Sequence, residues 1–467
     1  MPHAGHTLLR PAPAGAPPRP RSGATPSRRI AIISASVGAG HDGAAAELEC
    51  RLMADGFTVD RHDLLDLLPA RFGRAVQEGY RRMLVRAPWV YQLIYAGTER
   101  AGGGGPLARL LLRAAESRVR RALAPGTRAI VSTYPGASRV LGNLRRDGGL
   151  SVPVLTYLTD FSVHPLWVAD GVDVHLAAHA VPAAQARAAG ARDVRVSGPV
   201  ADPRFRPGDS GQRARARARF GLPADTPLAL LVAGSWGVGP VRKVAREVRD
   251  SGAAVPVVVC GRNEALARRL RADGIEHVHG WVDDMPSLMH AADVLVQNAG
   301  GLTSLEAFAA GLPVASYRCI PGHGLTNAAA LDEAGAAVWI RDPADLAAVL
   351  HDLIEGPLGA RQRETGLALF PRSSGQGPAA EIARVLRAGL PRPDPGRPSP
   401  PRGTRRRSLS RRLGTTALAA CTVCACAVGT GVATAHGGPG LARAIGHGFD
   451  LDDLAPHHAS RPQGHHS

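Results

Sequence analysis

Residues 294–313 read V-L-V-Q-N-A-G-G-L-T-S-L-E-A-F-A-A-G-L-P. A strand-like run, Val294-Leu295-Val296, ends in the pair Gly300-Gly301, and a helix is predicted to open near Thr303. Glycines let a backbone approach a phosphate closely, and the free N–H groups at a helix start favour an anion. Glu306 falls one turn into that helix, where a carboxylate can accept hydrogen bonds from two adjacent hydroxyls such as those of a ribose. Gly311 and Pro313 close the helix before the next strand. A plain strand-to-helix turn would use the same residues, so the surroundings have to decide.

Around this stretch the pattern is strand, helix, strand. Short aliphatic runs bounded by Gly, Pro or Asp predict strands at Leu228–Val232, Val255–Val259, His277–His279, Val294–Gln297, Val314–Tyr317 and Ala337–Ile340. A second set lies upstream, at Ile30–Ser34, Phe57–Asp60, Ala129–Ser132, Val152–Leu158, Val174–Ala177 and Val194–Ser197. Alternating strands and helices imply parallel sheets covered on both faces. The expected fold class is therefore α/β, with two doubly wound, Rossmann-like domains at 29–200 and 201–390 and a ligand cleft between them at the carboxyl ends of the strands. Beyond Pro378–Leu390, read as a last helix, come a Pro/Arg-rich linker (391–412), an uncharged segment (413–435) and a His/Gly-rich tail (436–467). The uncharged segment would make about 34 Å of helix, enough to cross a bilayer core, and its flanking arginines would keep its N-terminal side in the cytoplasm. Its Ala, Thr and Gly content equally fits a tail that does not span. Residues 1–28 and 436–467 have the composition of disordered segments, and the N-terminus lacks the apolar core of a signal peptide.

Two further glycine segments matter. Gly234-Ser235-Trp236-Gly237-Val238-Gly239 follows the strand Leu228–Val232 and forms a second phosphate-grade loop. In the first half, residues 36–43 read S-V-G-A-G-H-D-G. Their G-x-G-x-x-G spacing suggests a dinucleotide fingerprint, and Asp60 stands where the ribose-binding acid of such a site would be. Four residues separate the apolar strand from Gly38, however, too many for the tight turn under a pyrophosphate. No G-K-[ST] follows, which excludes a P-loop. His41 sits at or just before a helix start, where the dipole disfavours imidazolium and keeps a ring suited to a general base; it would equally serve as a cap.

The composition narrows the function classes. The net charge of +17 points to an anionic partner, but Lys243 is the single lysine and arginine pervades the chain, so much of the charge is compositional. No basic-aromatic motif of a nucleic-acid binder is present, and none is expected as a partner. Cys50, Cys260 and Cys319 read as isolated thiols. Cys421, Cys424 and Cys426 have metal-ligand spacing but no His or Asp within the run, so no metal site is expected.

These motifs together resemble glycosyltransferase family 28, of GT-B fold, and within it the monogalactosyl- and diglucosyl-diacylglycerol synthases. The likeness rests on S-V-G-A-G-H-D-G-A-A, S-T-Y-P (Ser132–Pro135), T-D-F-S-V-H-P-L-W (Thr159–Trp167) and G-P-V (Gly198–Val200) in the first half. In the second half it rests on G-W-V-D-D-M-P-S-L-M-H-A-A-D-V-L-V (Gly280–Val296), the quoted glycine loop and P-G-H-G-L-T-N-A (Pro321–Ala328). It spans roughly residues 29–390. The resemblance implies a UDP-sugar-dependent, inverting hexosyltransferase that needs no cofactor or divalent ion and acts on a diacylglycerol-like lipid at the cytoplasmic face of the membrane. The diphosphate would lie on Gly234, Ser235, Gly300, Gly301 and Thr303, the ribose on Glu306, the uracil near Gly280–Val282, and the sugar by His323 and Asn327. The base would be His41 or Asp160, with His164 facing the same cleft. Where the family commonly has P-G-Q-E, whose last two side chains contact the donor sugar, this chain has Pro321-Gly322-His323-Gly324, which leaves the donor open. Alternatives of the same fold are a soluble acceptor, a nucleotide-sugar epimerase or a non-catalytic nucleotide or lipid binder.

A lipid acceptor requires membrane contact. Leu107, Leu110, Leu111, Ala114, Ala115, Val119 and Ala122 fit one helical stripe, with Arg109, Arg113 and Arg120 opposite. Such a helix either lies on an anionic membrane surface or faces the core with a solvated back. The apolar segment Ala87–Tyr95 could join it.

Overall fold

The computed structural model describes residues 28–37, 39–68, 72–101, 106–370 and 376–388. Its first sheet contains β1 (Arg29–Ser34), β2 (Thr58–Asp63), β3 (Thr127–Ser132), β4 (Val154–Tyr157), β5 (Val174–Ala177) and β6 (Val194–Val196), in the order β2-β1-β3-β4-β5-β6. The second contains β7 (Leu228–Val232), β8 (Val255–Val259), β9 (His277–His279), β10 (Val294–Gln297), β11 (Val314–Tyr317) and β12 (Val338–Ile340), in the order β12-β11-β10-β7-β8-β9. Every pairing is parallel.

Helices α1 (Ala39–Ala54), α2 (Phe72–Arg86), α3 (Pro88–Ala101), α4 (Pro106–Ala122), α5 (Pro135–Arg146) and α6 (Ala180–Ala188) accompany the first sheet. Helices α7 (Ser210–Phe220), α8 (Val241–Asp250), α9 (Glu264–Ala272), α10 (Met285–Ala291), α11 (Leu302–Ala309), α12 (His323–Glu333), α13 (Leu346–Ile354) and α14 (Pro357–Ala368) accompany the second. The last, α15 (Pro378–Ala388), returns: Ala379, Ile382 and Val385 pack with Ile30, Leu48 and Leu52 beneath the first sheet.

The strand period of two produces the layers. Ile30 and Ile32 join Val131 and Leu155 on one face of the first sheet, and Ala31 and Ile33 join Ile130 and Val154 on the other. Each of these isoleucines is completely buried or nearly so, and each such side chain contributes roughly 1.5–3 kcal/mol. The second sheet repeats the scheme, with Leu228 and Leu230 on one face and Ala229 and Leu231 on the other.

A buried arginine pins each sheet. Asp293, just before β10, accepts from the Leu228 N–H (2.7 Å) and from Arg217 (2.8 Å), whose guanidinium also reaches four backbone carbonyls. Asp173, just before β5, accepts from the Val154 N–H (2.8 Å) and from Arg145 (3.1 Å). These carboxylates set the strand register and thereby where the following loops emerge.

Strand order reverses between β1 and β3 in the first sheet and between β7 and β10 in the second. At such a switch point neighbouring loops leave in opposite directions and open a crevice. Both crevices face the same space. The first turn of α1 comes close to α11 there: a Cβ at Gly43 would lie 2.5 Å from Leu302 Cδ2.

Among the described residues no helix is long and apolar enough to cross a membrane. The segment 413–435, the cysteines at 421, 424 and 426 and both terminal tails lie outside the described residues. On α4, the side chains at 107–111 also lie outside them. Ala115 and Val119 are buried in the core, Arg113 and Arg120 are exposed, and Ala114 is exposed rather than part of an apolar stripe. That half of α4 is a core-facing helix with a solvated back.

Candidate functional site

The two switch points enclose a cavity of about 750 Å³. On the first-domain side its wall begins with His41. Because α1 starts at Ala39, His41 lies within the first helical turn rather than before it. Its Nδ1 is 2.8 Å from the hydroxyl of Thr159, and its ring meets the edge of Tyr134 at a centroid distance of 5.3 Å. Thr159 is buried at the end of β4, so the imidazole is held from behind with Nε2 left for the cavity. The half-buried Asp160 follows; its Oδ2 accepts from Trp167 Nε1 at 3.2 Å. His164 lines the cavity too, but both ring nitrogens are engaged. Nδ1 accepts from the Leu166 N–H (3.1 Å) and Nε2 donates to the Tyr95 carbonyl (3.2 Å). Burial lowers its pKa and keeps it neutral, so His164 caps a 3₁₀ turn, Pro165–Trp167, and is not free for chemistry.

On the second-domain side the loop after β10 is shaped by Gln297. Its Oε1 accepts from the N–H groups of Ala299 (2.7 Å) and Gly300, while its Nε2 donates to Ser316 (2.6 Å). The Gly300 amide is therefore committed and does not point at a phosphate. What Gly300 supplies is shape: its φ is +68°, and a Cβ there would lie 2.6 Å from Asn327 Cβ. The amides at the start of α11, Gly301 to Thr303, have no partner within the helix and would suit an anion. Beside them Ser304 Oγ is buried with no hydrogen-bond partner, a group the sequence did not single out. Glu306 lines the cavity one turn further in. Burial, helped by the negative charge of Asp202, raises its carboxyl pKa to about 8.

Gly234 and Ser235 face the same space from β7, and Trp281 and Val282 from the loop after β9. Arg262 stacks on Trp281 at 4.4 Å, forming a flat platform at the mouth. His323, the first residue of α12, lines the cavity; burial lowers its pKa, with Asp160 opposing and His41 reinforcing the shift. His323, Asp160 and His41 therefore line the same cavity. Asn327 does not join them. It is completely buried, accepts from the N–H and hydroxyl of Ser162 (2.8 and 2.9 Å) and donates to the Ala299 carbonyl (3.0 Å). It is a brace between the domains rather than a wall of the cavity.

Away from these polar groups the cavity continues along the first domain, lined by Leu64, Leu65, Leu68, Phe72, Val76 and Leu84 from the end of β2 and from α2. One space thus joins a polar pole to an apolar limb. Tyr80, Tyr91, Tyr95 and Tyr134 line the same space. The chain has only six tyrosines, so their gathering here is a clue that sequence reading could have used.

Residues 41–199 match the family model described as monogalactosyldiacylglycerol (MGDG) synthase, and residues 237–356 match that of glycosyl transferases group 1. A processive diacylglycerol beta-glucosyltransferase of Bacillus pumilus (strain SAFR-032) is 25% identical over 344 residues, covering 70% of this chain and 87% of its own. Its namesake in Bacillus mycoides (strain KBAB4) is 29% identical over 276 residues, covering 56% and 67%. The chain is similar to glycosyltransferase family 28. Within that family its likeness is to the monogalactosyldiacylglycerol synthases, and the chain is a glycosyltransferase. Sucrose-phosphate synthase from Thermosynechococcus elongatus, 18% identical, superimposes with a TM-score of 0.50 over 77% of this chain and 98% of its own, a likeness of fold. The two six-stranded parallel sheets have the GT-B arrangement. The match to the MGDG synthase model begins at His41.

Proposed function

We propose that the protein transfers a hexose from a UDP-sugar to a diacylglycerol-like lipid, with inversion at the anomeric carbon, at the cytoplasmic face of the membrane. The observation that carries this reading is the single cavity with a polar pole at both switch points and an apolar limb in the first domain. A nucleotide sugar needs the first and an acyl chain the second. The names of the Bacillus relatives support a diacylglycerol acceptor and a β-glucosyl product, which from an α-linked nucleotide sugar would require inversion.

In this reading the acceptor hydroxyl attacks the anomeric carbon while His41 Nε2, or alternatively Asp160, takes its proton. The bond from that carbon to the diphosphate oxygen breaks, and its electron pair leaves with UDP. The α11 amides, Thr303 and Ser235 would receive the growing negative charge. Glu306 would hold the ribose, the Trp281 loop the base, and His323 the sugar. Transfer is expected to continue in excess chelator; loss restored by added Mg²⁺ would overturn the metal-free part of the proposal. Trp89 and Leu93 on α3 are 59% and 51% exposed and would rest on the anionic membrane surface.

The test is incubation with radiolabelled UDP-glucose, UDP-galactose and UDP-N-acetylglucosamine and diacylglycerol in mixed micelles. Label in the organic phase from at least one donor is expected. Label only in water-soluble products, or none from any donor, would overturn the lipid transferase reading.

A further inference from the structure

Helix α3 belongs to the first domain, yet its inner side chains grip the start of α12 in the second. Gln92 Oε1 accepts the Gly322 N–H. The Tyr91 hydroxyl lies 2.9 Å from His323 Nδ1, and the Tyr95 hydroxyl lies 3.1 Å from Thr326 Oγ1. The approach is close enough to require glycine. Gly322 has φ +73°, and a Cβ there would stand 2.6 Å from Tyr91 Cε1. The tyrosine ring meets the His323 ring edge to face at 5.8 Å. Tyr80 continues the contact, 5.6 Å from Tyr91 and 6.2 Å from Trp236, the residue after the Gly234-Ser235 loop.

The next position of α12 is barred to any side chain. A Cβ on Gly324 would fall 2.6 Å from Ile320 Cγ1 and 2.7 Å from the Asn298 carbonyl oxygen. His323 is thus the side chain through which the first turn of α12 reaches the cavity. It lines the same cavity as His41 and Asp160, the space in which the proposed transfer would seat the sugar. With Nδ1 taken by Tyr91, Nε2 is the atom left to meet a sugar hydroxyl. In a neutral ring the direction of the Tyr91 bond decides whether Nε2 donates or accepts.

We propose that donor-sugar selection is made across the domain boundary, with Tyr91 of α3 acting as the positioning residue that fixes the orientation and tautomer of His323. The proposal rests on the glycosyl-transfer reading above and adds to it a first-domain residue that would act on the donor through His323. It also means that the helix flanking the acceptor limb helps choose the sugar.

Tyr91→Phe keeps the ring and removes only the hydroxyl. It is expected to raise the donor KM by about tenfold, the worth of one hydrogen bond, and to change the glucose-to-galactose ratio of kcat/KM by a similar factor. The acceptor KM should stay within about twofold, and in a His323→Ala background the substitution should have no further effect. Calorimetric titration with UDP and with UDP-glucose reads the same point without turnover. The sugar's added affinity should shrink in Tyr91→Phe while UDP alone binds as before. An unchanged donor ratio together with an unchanged sugar increment would overturn the proposal, as would an equal effect in the His323→Ala background. A wild-type protein silent with every donor would count against the transferase reading alone, because the titration still decides this one.

Discussion

At the residue scale, two side chains make the chemistry testable. His41 is useful as a base only if its ring is held, and Thr159 holds it at 2.8 Å from a buried position. Thr159→Val should lower kcat roughly tenfold or more while leaving the donor KM within about twofold, since the hydroxyl bonds His41, the proposed base, and would not meet the nucleotide. Thr159→Ser should restore most of the rate. A KM effect, or no rescue by serine, would mean that Thr159 only fills space. Glu306 makes a prediction with a definite sign. Its carboxyl pKa is raised to about 8 by burial, so below that pH the empty site holds it protonated. If Glu306 holds the ribose as proposed, two hydroxyls would donate to the charged form and displace that proton. UDP affinity should therefore rise with pH towards 8 and level off above it. Glu306→Gln should bind weakly and retain only the shallower dependence due to the phosphate itself. A wild-type profile superimposable on that of the variant would remove Glu306 from the ribose.

At the element scale, α2 and α3 form the part of the first domain that meets both the cavity and the outside. Tyr91 and Tyr95 point inward, whereas Trp89 and Leu93, four residues apart, point outward. Trp89→Ala with Leu93→Ala should leave the melting temperature nearly unchanged and reduce co-sedimentation with phosphatidylglycerol-containing vesicles. Raised salt should weaken wild-type binding through the exposed arginines of α2. Equal sedimentation of both proteins would place the membrane contact elsewhere. Elements differed in how legible they were. All twelve strands stood out, because buried parallel strands are short aliphatic runs between turn residues, and their ends shifted by only a few positions, as in Thr58–Asp63. The polar end of the site was legible where a residue type and a loop coincide, as at His41, Thr303 and Glu306. It was illegible where a side chain's partner is far along the chain. Asn327 bonds Ser162, Gln297 folds back on its own loop, and Tyr91 meets His323 across 232 positions. Nothing in local pattern carries such pairings. The return of α15 to the first sheet is hidden for the same reason.

At the scale of the whole molecule, two separately cored sheets are joined along a seam that includes polar contacts: Ser162 with Asn327 and Thr326, and α3 with α12. Each sheet carries its own buried pin, Arg145–Asp173 in the first and Arg217–Asp293 in the second. Arg217 is almost fully enclosed, so removing its partner leaves a buried charge without compensation, a loss of about 3–5 kcal/mol. Asp293 also bonds the Leu228 N–H, which fixes β10 against β7 and so places the loop that would hold the diphosphate. Asp293→Ala should therefore lower the stability of the second domain and weaken UDP binding together. Asp173→Ala should lower that of the first and leave UDP affinity close to wild type. Scanning calorimetry with and without UDP separates the two, because a ligand raises the transition of the unit that binds it. The UDP-sensitive transition should drop in Asp293→Ala and hold in Asp173→Ala. One transition that drops equally in both variants would show instead that the seam makes the two sheets a single cooperative unit, and that closing the cleft, rather than either domain alone, is what the folding energy sustains.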